Sequence, residues 1–345
     1  MSISNSAHKP ELATEYPPAD EQQHIDSLIR QLRAKMQRDY AKTRTLRDAH
    51  PKMHGCVRAL LTIEANLPEE LAIGVFAKNR SFPAWVRFSN QNGTVSPDSK
   101  ADIRGVAIKL MGVESARVLP DGPVGTTQDF ILISDNRFVT KNVEEFDALV
   151  KALVGGVIPI VWYFLTHPRV ARNLATSLRH FSNLLAIRYF SVAPYLLGDK
   201  AVKYSLTPRD TSQRLVPSNP SADYLRQALV EHLAERDAVF DFSVQLQVDP
   251  YKMPIEDPGI TWDEALSPFR KVATLTIPSQ TFDTPGQHEF GDNLSFDPWR
   301  CLPEHRPLGG ISRARRQVYQ ALSAFRHERN QAPRDEPTAE ASTLG

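Results

Sequence analysis

HGCVRALLTIEANL at residues 54–67, SFPAWVRFSN at 81–90, ADIRGVAIKLMGV at 101–113 and DFILISDNRFV at 129–139 follow one another without a helical stretch between them. Each block is rich in branched and aromatic residues, and Pro or Gly clusters separate them, the pattern of strands joined by turns. Four strands in succession without crossover helices favour an antiparallel sheet or barrel over alternating β-α-β units.

Working outward from these blocks, residues 21–42 place Ile25, Leu28, Ile29, Leu32 and Met36 at a helical period, a helix packing by one stripe. Residues 1–20 are polar, hold three prolines and read as an extended arm. Downstream, residues 142–187 turn helical, and strands resume near 201–207, 237–248 and 270–277, with a helical run at 222–235. Residues 281–310 read as long, polar and irregular, and residues 331–345, poor in apolar residues, as a disordered tail. The expected organisation is an arm and helix at 1–45, one core at 46–330 and the tail at 331–345.

The 345 residues are 41% apolar, ample for a core, and a net charge of +1 argues against a nucleic-acid footprint. Two cysteines, Cys56 and Cys301, make no disulfide framework, so a reducing compartment is expected. No secretory signal is visible in the polar residues 1–15, which points to the cytoplasm. The apolar run ALVGGVIPIVWYFL (152–165) is too short for a confident membrane span and is broken by Pro159. Together with residues 184–197 it reads as buried or lid-like. The alternative is an apolar channel or membrane-surface patch for a lipid-like substrate.

The C-terminal helix, ISRARRQVYQALSAFRH (311–327), carries a constellation suited to a cofactor. Arg315 lies one turn before Tyr319, and Arg326 two turns after it on nearly the same face. A guanidinium at i−4 reaches the tyrosyl oxygen and favours the phenolate, a hard anionic ligand suited to ferric iron. Arg326 sits where the carboxylates of a porphyrin need a bidentate partner. The plain alternative is an amphipathic helix with Val318, Leu322 and Phe325 inward and the arginines solvated.

The spacing Arg-x-x-x-Tyr with an arginine seven residues on resembles the proximal helix of haem catalases, in which tyrosinate ligates the iron. Three further blocks carry the same resemblance in the same order: His54 at the head of the first strand, VRFSN (86–90) followed by IRGVAIKL (103–110), and FDPWRCLP (296–303) before the last helix. Within that superfamily the small bacterial catalase-like proteins are the nearest match. The resemblance implies an α+β fold built on an eight-stranded antiparallel barrel with surrounding helices, and haem b as cofactor with Tyr319 as iron ligand. It implies Arg87, Arg315 and Arg326 as haem-binding residues, His54 as the distal imidazole, and Ser89 fixing that imidazole's tautomer. Lys52 or Arg47 stands in for the arginine that precedes the distal histidine.

Departures from the family fall on the distal side. Where catalases carry an asparagine, this chain reads GTTQDFILISD (125–135); Thr126 aligns most directly, and Gln128 is the nearest side-chain amide. Phe138 is the candidate for the aromatic stacked on the porphyrin. Ser312 is a candidate N-cap of the last helix, and Cys301 and His305 are alternative metal ligands. The resemblance implies a haem oxidoreductase acting on hydrogen peroxide or organic, lipid-like hydroperoxides, with an unknown reductant and a homo-oligomeric state. A non-catalytic haem protein and a haem-free barrel binding an apolar ligand are the alternatives.

Overall fold

The structure is a computed structural model that describes residues 9–114, 118, 126–212, 216–334 and 336–337. Gly125, at the head of the stretch matched to the distal asparagine, and most of the expected tail lie outside the described residues.

The alternating blocks form β1 (Met53–Ile63), β2 (Ser81–Asn90), β3 (Arg104–Met111) and β4 (Thr127–Ile133), paired antiparallel in chain order. Two short strands, β5 (Tyr189–Phe190) and β6 (Tyr195–Leu197), precede β7 (Lys200–Pro208), β8 (Ala238–Leu246) and β9 (Arg270–Ile277). β5 bridges β4 to β7, and β9 pairs with β1. The ring β1-β2-β3-β4-β5-β7-β8-β9 is therefore closed, and β6 is a hairpin partner of β7. The expected eight-stranded antiparallel barrel is present. Closure removes the exposed edges that an open sheet of this length would carry.

Val57, Leu61, Val86, Phe88, Ile108, Phe130, Tyr204 and Phe242 fill the barrel. Because side chains alternate, Trp85, Arg87 and Ser89 of β2 point out of it. All three are nonetheless buried, since helices and loops cover this wall from outside.

The helices are α1 (Glu21–Asp39), α2 (Val143–Gly155), α3 (Val157–Thr166), α4 (Pro168–Ser177), α5 (Tyr224–Glu235), α6 (Pro285–Asn293) and α7 (Gly310–Asn330). Ile25 and Leu28 of α1, Val150 of α2, and Ile311 and Ala314 of α7 share one apolar cluster, so α7 is clamped by two helices. α6 was not expected in residues 281–310. Its start carries the chemistry of an N-terminus, with the Thr284 hydroxyl accepting from the Gln287 amide and Pro285 in the first turn. Its Gly291 lies against Met53 and Cys56 of β1, where a Cβ would come within 2.5 Å of the Met53 sulfur.

The N-cap of α7 is Gly309, at φ 85°, and not Ser312, which lies inside the helix. The arm is pinned to that helix start: Glu15 accepts from Arg306, Arg313 and the Gly309 amide. At the other end the chain folds back, burying Glu336 where disorder was expected.

Candidate functional site

On α7, the Arg315 Nη2 donates to the Tyr319 hydroxyl at 3.1 Å, the contact expected from their spacing. Burial opposes the Arg315 charge, but Tyr319, Tyr195 and Asp297 outweigh it and hold the guanidinium above its ordinary pKa. Seven residues on, Arg326 is buried and donates from Nη1 to the Asp292 carbonyl at 2.5 Å.

Arg326 belongs to a group of guanidiniums. Burial, Arg47 and Arg87 together push it down to about 8, against the opposing pull of Asp292. Arg87 is pushed down to about 9 by burial and by Arg47, again opposed by Asp292. Arg47 donates to the Gly291 and Leu294 carbonyls, at the C-terminal end of α6. The buried Arg87 and Arg326 and the half-buried Arg47 thus lie close enough to repel one another, with Asp292 the carboxylate acting on all three, and the Arg87 Nε has no partner among the described residues. Lys52, the other candidate for the Arg47 role, lies elsewhere, 2.7 Å from Asp98 and 2.9 Å from Asp223.

The imidazole brought to this group is His50. Its Nδ1 lies 3.0 Å from the Ser89 hydroxyl, and its carbonyl accepts from Arg87 Nη2 at 3.1 Å. The ring fits because β3 carries Gly105 opposite Ser89; a Cβ there would stand 2.4 Å from Cε1 of His50. Burial and then the charges of Arg87, Arg315 and Arg47 lower His50 to about 3, so the ring is neutral near pH 7.

His54, the sequence candidate, is on the other face. A bulge between Met53 and Gly55 adds a residue to β1 and leaves His54 unpaired, on the side of Phe88 and Asn90. Its Nε2 meets Asn90 Oδ1 at 2.6 Å, and Asn90 Nδ2 donates to Asp98 at 3.1 Å. Arg104 donates to the same Asn90 oxygen, so this oxygen can only accept and His54 Nε2 carries the proton. His54 therefore belongs to a buried tie between β1, β2 and the loop before β3, and Ser89 does not touch it. Sequence reasoning passed over His50 because it precedes the strand. The available signal was Arg47, three residues before it.

The β4 candidates are likewise placed away from the outer wall that carries Arg87 and Ser89. Phe130 and Leu132 fill the barrel, so Gln128 shares their side; its Oε1 accepts from the Leu302 amide at 3.1 Å. Thr126 precedes the strand and is exposed. The hydroxyl on the outer wall is that of Thr127, which donates to Glu336 at 3.1 Å. A slip of one residue in the matching changes the face. Beside it, Lys109 meets Asp129 at 2.8 Å and Glu336 at 2.6 Å, while Arg300 meets Asp129 at 2.6 Å and Glu336 at 3.0 Å. The Asp297 amide also donates to Asp129, which anchors the 296–303 turn, and hence the approach to α7, on β4.

Phe138 packs edge-on against Phe146 of α2, within the helical layer. His305 lies inside the barrel wall, with Tyr204 at 3.1 Å from Nδ1 and the Val75 amide donating to Nε2. No group of three His, Cys, Asp or Glu side chains suited to a bare metal ion occurs among the described residues. A surface cleft of about 280 Å³ runs from Pro18 to Gly310 along α1, α2 and Glu256, away from the arginines.

The fold is the one catalases have, an antiparallel barrel wrapped by helices with the Arg315–Tyr319 helix laid outside it. A fungal catalase superposes with a TM-score of 0.63 at 16% identity, over 93% of this chain and 66% of that one. Catalase A from Saccharomyces cerevisiae gives 0.63 at 17%, over 95% and 68%, and a bacterial catalase 0.62 at 17%, over 96% and 67%. The chain thus spans about two thirds of the length of these catalases. No family model and no curated sequence matches it.

Proposed function

We propose that the chain binds haem b through Tyr319 and turns over peroxides, with organic hydroperoxides favoured over hydrogen peroxide. The observation that carries this is the grouping of Arg47, Arg87 and Arg326, two of them donating to carbonyls at the end of α6 and none ion-paired among the described residues, with Asp292 the carboxylate whose charge acts on all three. Three cations against one anion leave a surplus of two positive charges, which the two propionates of a porphyrin would neutralise. The unpartnered Arg87 Nε fits the same group. When bound, haem would supply an iron centre able to give electrons to a peroxide and regain them from a donor.

The chain's own residues then have separable tasks. Tyr319 offers the phenolic oxygen, and Arg315 orients it through the 3.1 Å contact. His50 moves the peroxide proton. With Nδ1–H donating to Ser89, Nε2 keeps a lone pair, and the surrounding guanidiniums keep the ring from taking up a proton from solvent. Thr127 does not offer the amide that an asparagine would, and Glu336 already accepts its hydroxyl proton. That supports slow handling of hydrogen peroxide and a reductant other than a second peroxide. The buried thiols of Cys56 and Cys301, not joined in a disulfide, fit a reducing, cytoplasmic setting.

One observation favours a second reading, a haem-free barrel. The C-terminal carbonyls of α6 already accept from Arg47 and Arg326. An absorption titration of the full chain with haemin separates the two: a one-to-one complex with a ferric tyrosinate spectrum supports the first reading, and no saturable Soret shift supports the second.

A further inference from the structure

The outermost helix carries a surface that the haem reading leaves unused. On α3, Val157, Ile158, Trp162 and Leu165 are 77%, 84%, 68% and 71% exposed, and Leu153 at the end of α2 and Val161 extend the patch. Only Tyr163 of α3 is buried, its hydroxyl donating to the Glu145 carbonyl of α2. Contiguous apolar side chains on a protruding helix mark an interaction surface rather than ordinary exposure.

The charge around the patch indicates what covers it. From Ala152 to Gly198 the sequence contains no Asp or Glu and carries Arg169, Arg172, Arg179 and Arg188, in a chain with 40 acidic residues. Arg169 and Arg188 are paired with Asp257 and Glu264. Lys151, Arg172 and Arg179 are exposed and have no carboxylate partner among the described residues. A symmetric contact with a second copy would set this basic surface against itself. An anionic bilayer surface is attracted to it, and an interfacial tryptophan is suited to the headgroup boundary. No helix among the described residues is long and apolar enough to cross a membrane. At ten residues α3 is roughly 15 Å long, the size of a segment that lies in the interface plane.

We infer that α3, with the α2–α3 corner, seats the protein on the surface of anionic phospholipid membranes through Val157, Ile158, Trp162 and Leu165, with Lys151, Arg172 and Arg179 facing the headgroups. This does not depend on haem.

Trp162 provides the readout, because the other three tryptophans, Trp85, Trp262 and Trp299, are buried. The full chain is mixed with vesicles of phosphatidylcholine alone or with added phosphatidylglycerol, and is followed by co-sedimentation and tryptophan emission. The expected result is binding to the anionic vesicles with a blue shift, weakened by salt. Both signals are lost in Ile158→Asp and Trp162→Asp, whose circular dichroism and melting remain those of the parent. Joint Lys151→Glu, Arg172→Glu and Arg179→Glu raises the vesicle Kd roughly tenfold or more. Failure of the parent to bind either vesicle overturns the inference. So does a concentration-dependent dimer that Trp162→Asp converts to monomer in a parent that ignores vesicles.

Discussion

Nδ1 of His50 lies 3.0 Å from the hydroxyl of Ser89, and Arg87, on the same strand, donates to the carbonyl of that histidine. One strand thus fixes both the ring and the backbone of a residue outside the barrel's own pairing. The ring stands over Gly105 of the next strand, so the imidazole is held from two sides.

Exchanging the two histidines separates chemistry from architecture. His50→Ala should leave haem binding intact and lower peroxide turnover about 10²- to 10⁴-fold, the range for loss of a general base. His54→Ala should keep turnover per bound haem but cost roughly 1–3 kcal/mol of stability, because Asn90, itself tied to Arg104 and Asp98, loses a buried donor. Stopped-flow turnover and urea unfolding read the two effects; the opposite pattern would return the role to His54.

Tyr319→Phe removes the phenolic oxygen, and Arg315→Ala removes the cation 3.1 Å from it. The first should abolish the high-spin ferric spectrum of the haem complex, and the second should shift it with rise of pH while retaining binding. A spectrum unchanged in Tyr319→Phe would assign the iron to another ligand.

The arginine group should govern haem affinity. Single Arg47→Ala, Arg87→Ala and Arg326→Ala changes each remove a charge-assisted contact to a carboxylate, worth about 1.5–3 kcal/mol, or roughly ten- to hundredfold in Kd. In the haem-free protein the same changes relieve mutual repulsion among buried cations. The apo form should therefore lose less stability than the loaded form, as paired thermal melts would record.

Acid should weaken the barrel through His305. Burial lowers this group from 6.5 to about 3, so the unfolded chain binds the proton that the folded chain refuses. Its contribution is complete above about pH 6.5 and is lost as pH falls towards 3, by up to about 1.4 kcal/mol per pH unit. His305→Gln removes one of these titrations, His50 and His54 being lowered as well, and should make the fall in stability between pH 6.5 and 4.5 shallower than the parent's by up to about 1.4 kcal/mol per pH unit. A slope equal to the parent's would place the acid sensitivity elsewhere.

Glu336 is the carboxylate between Lys109, Arg300 and Thr127. Glu336→Ala leaves Asp129 facing two buried cations and should cost roughly 3 kcal/mol in chemical unfolding.

Much of this was readable along the chain. The four strand blocks, the helical insertion after Asn142 and the i, i+4 pair Arg315–Tyr319 are local patterns, and each appears where its periodicity places it. The candidate site was legible in its residue types but not in its faces. His54 and Gln128 were named for their chemistry, yet a bulge turns the first to the barrel side, and the second shares the side of Phe130. Glu336 fell in a stretch too poor in apolar residues to predict order, because what holds it is a pair of cations distant in sequence.

The sequence by itself determined the succession of strands, because period-two alternation is a property of neighbouring residues, and it determined that one helix would carry an arginine against a tyrosine. Which histidine joins them was decided only in three dimensions. Ring closure, the bulge at His54 and the missing side chain at Gly105 bring His50 to Ser89, and none of these is a property of a single stretch of chain. The surplus positive charge at Arg47, Arg87 and Arg326 is likewise a tertiary fact. Three residues from a loop, a strand and the last helix become one electrostatic group only when packing excludes the water that would have screened them.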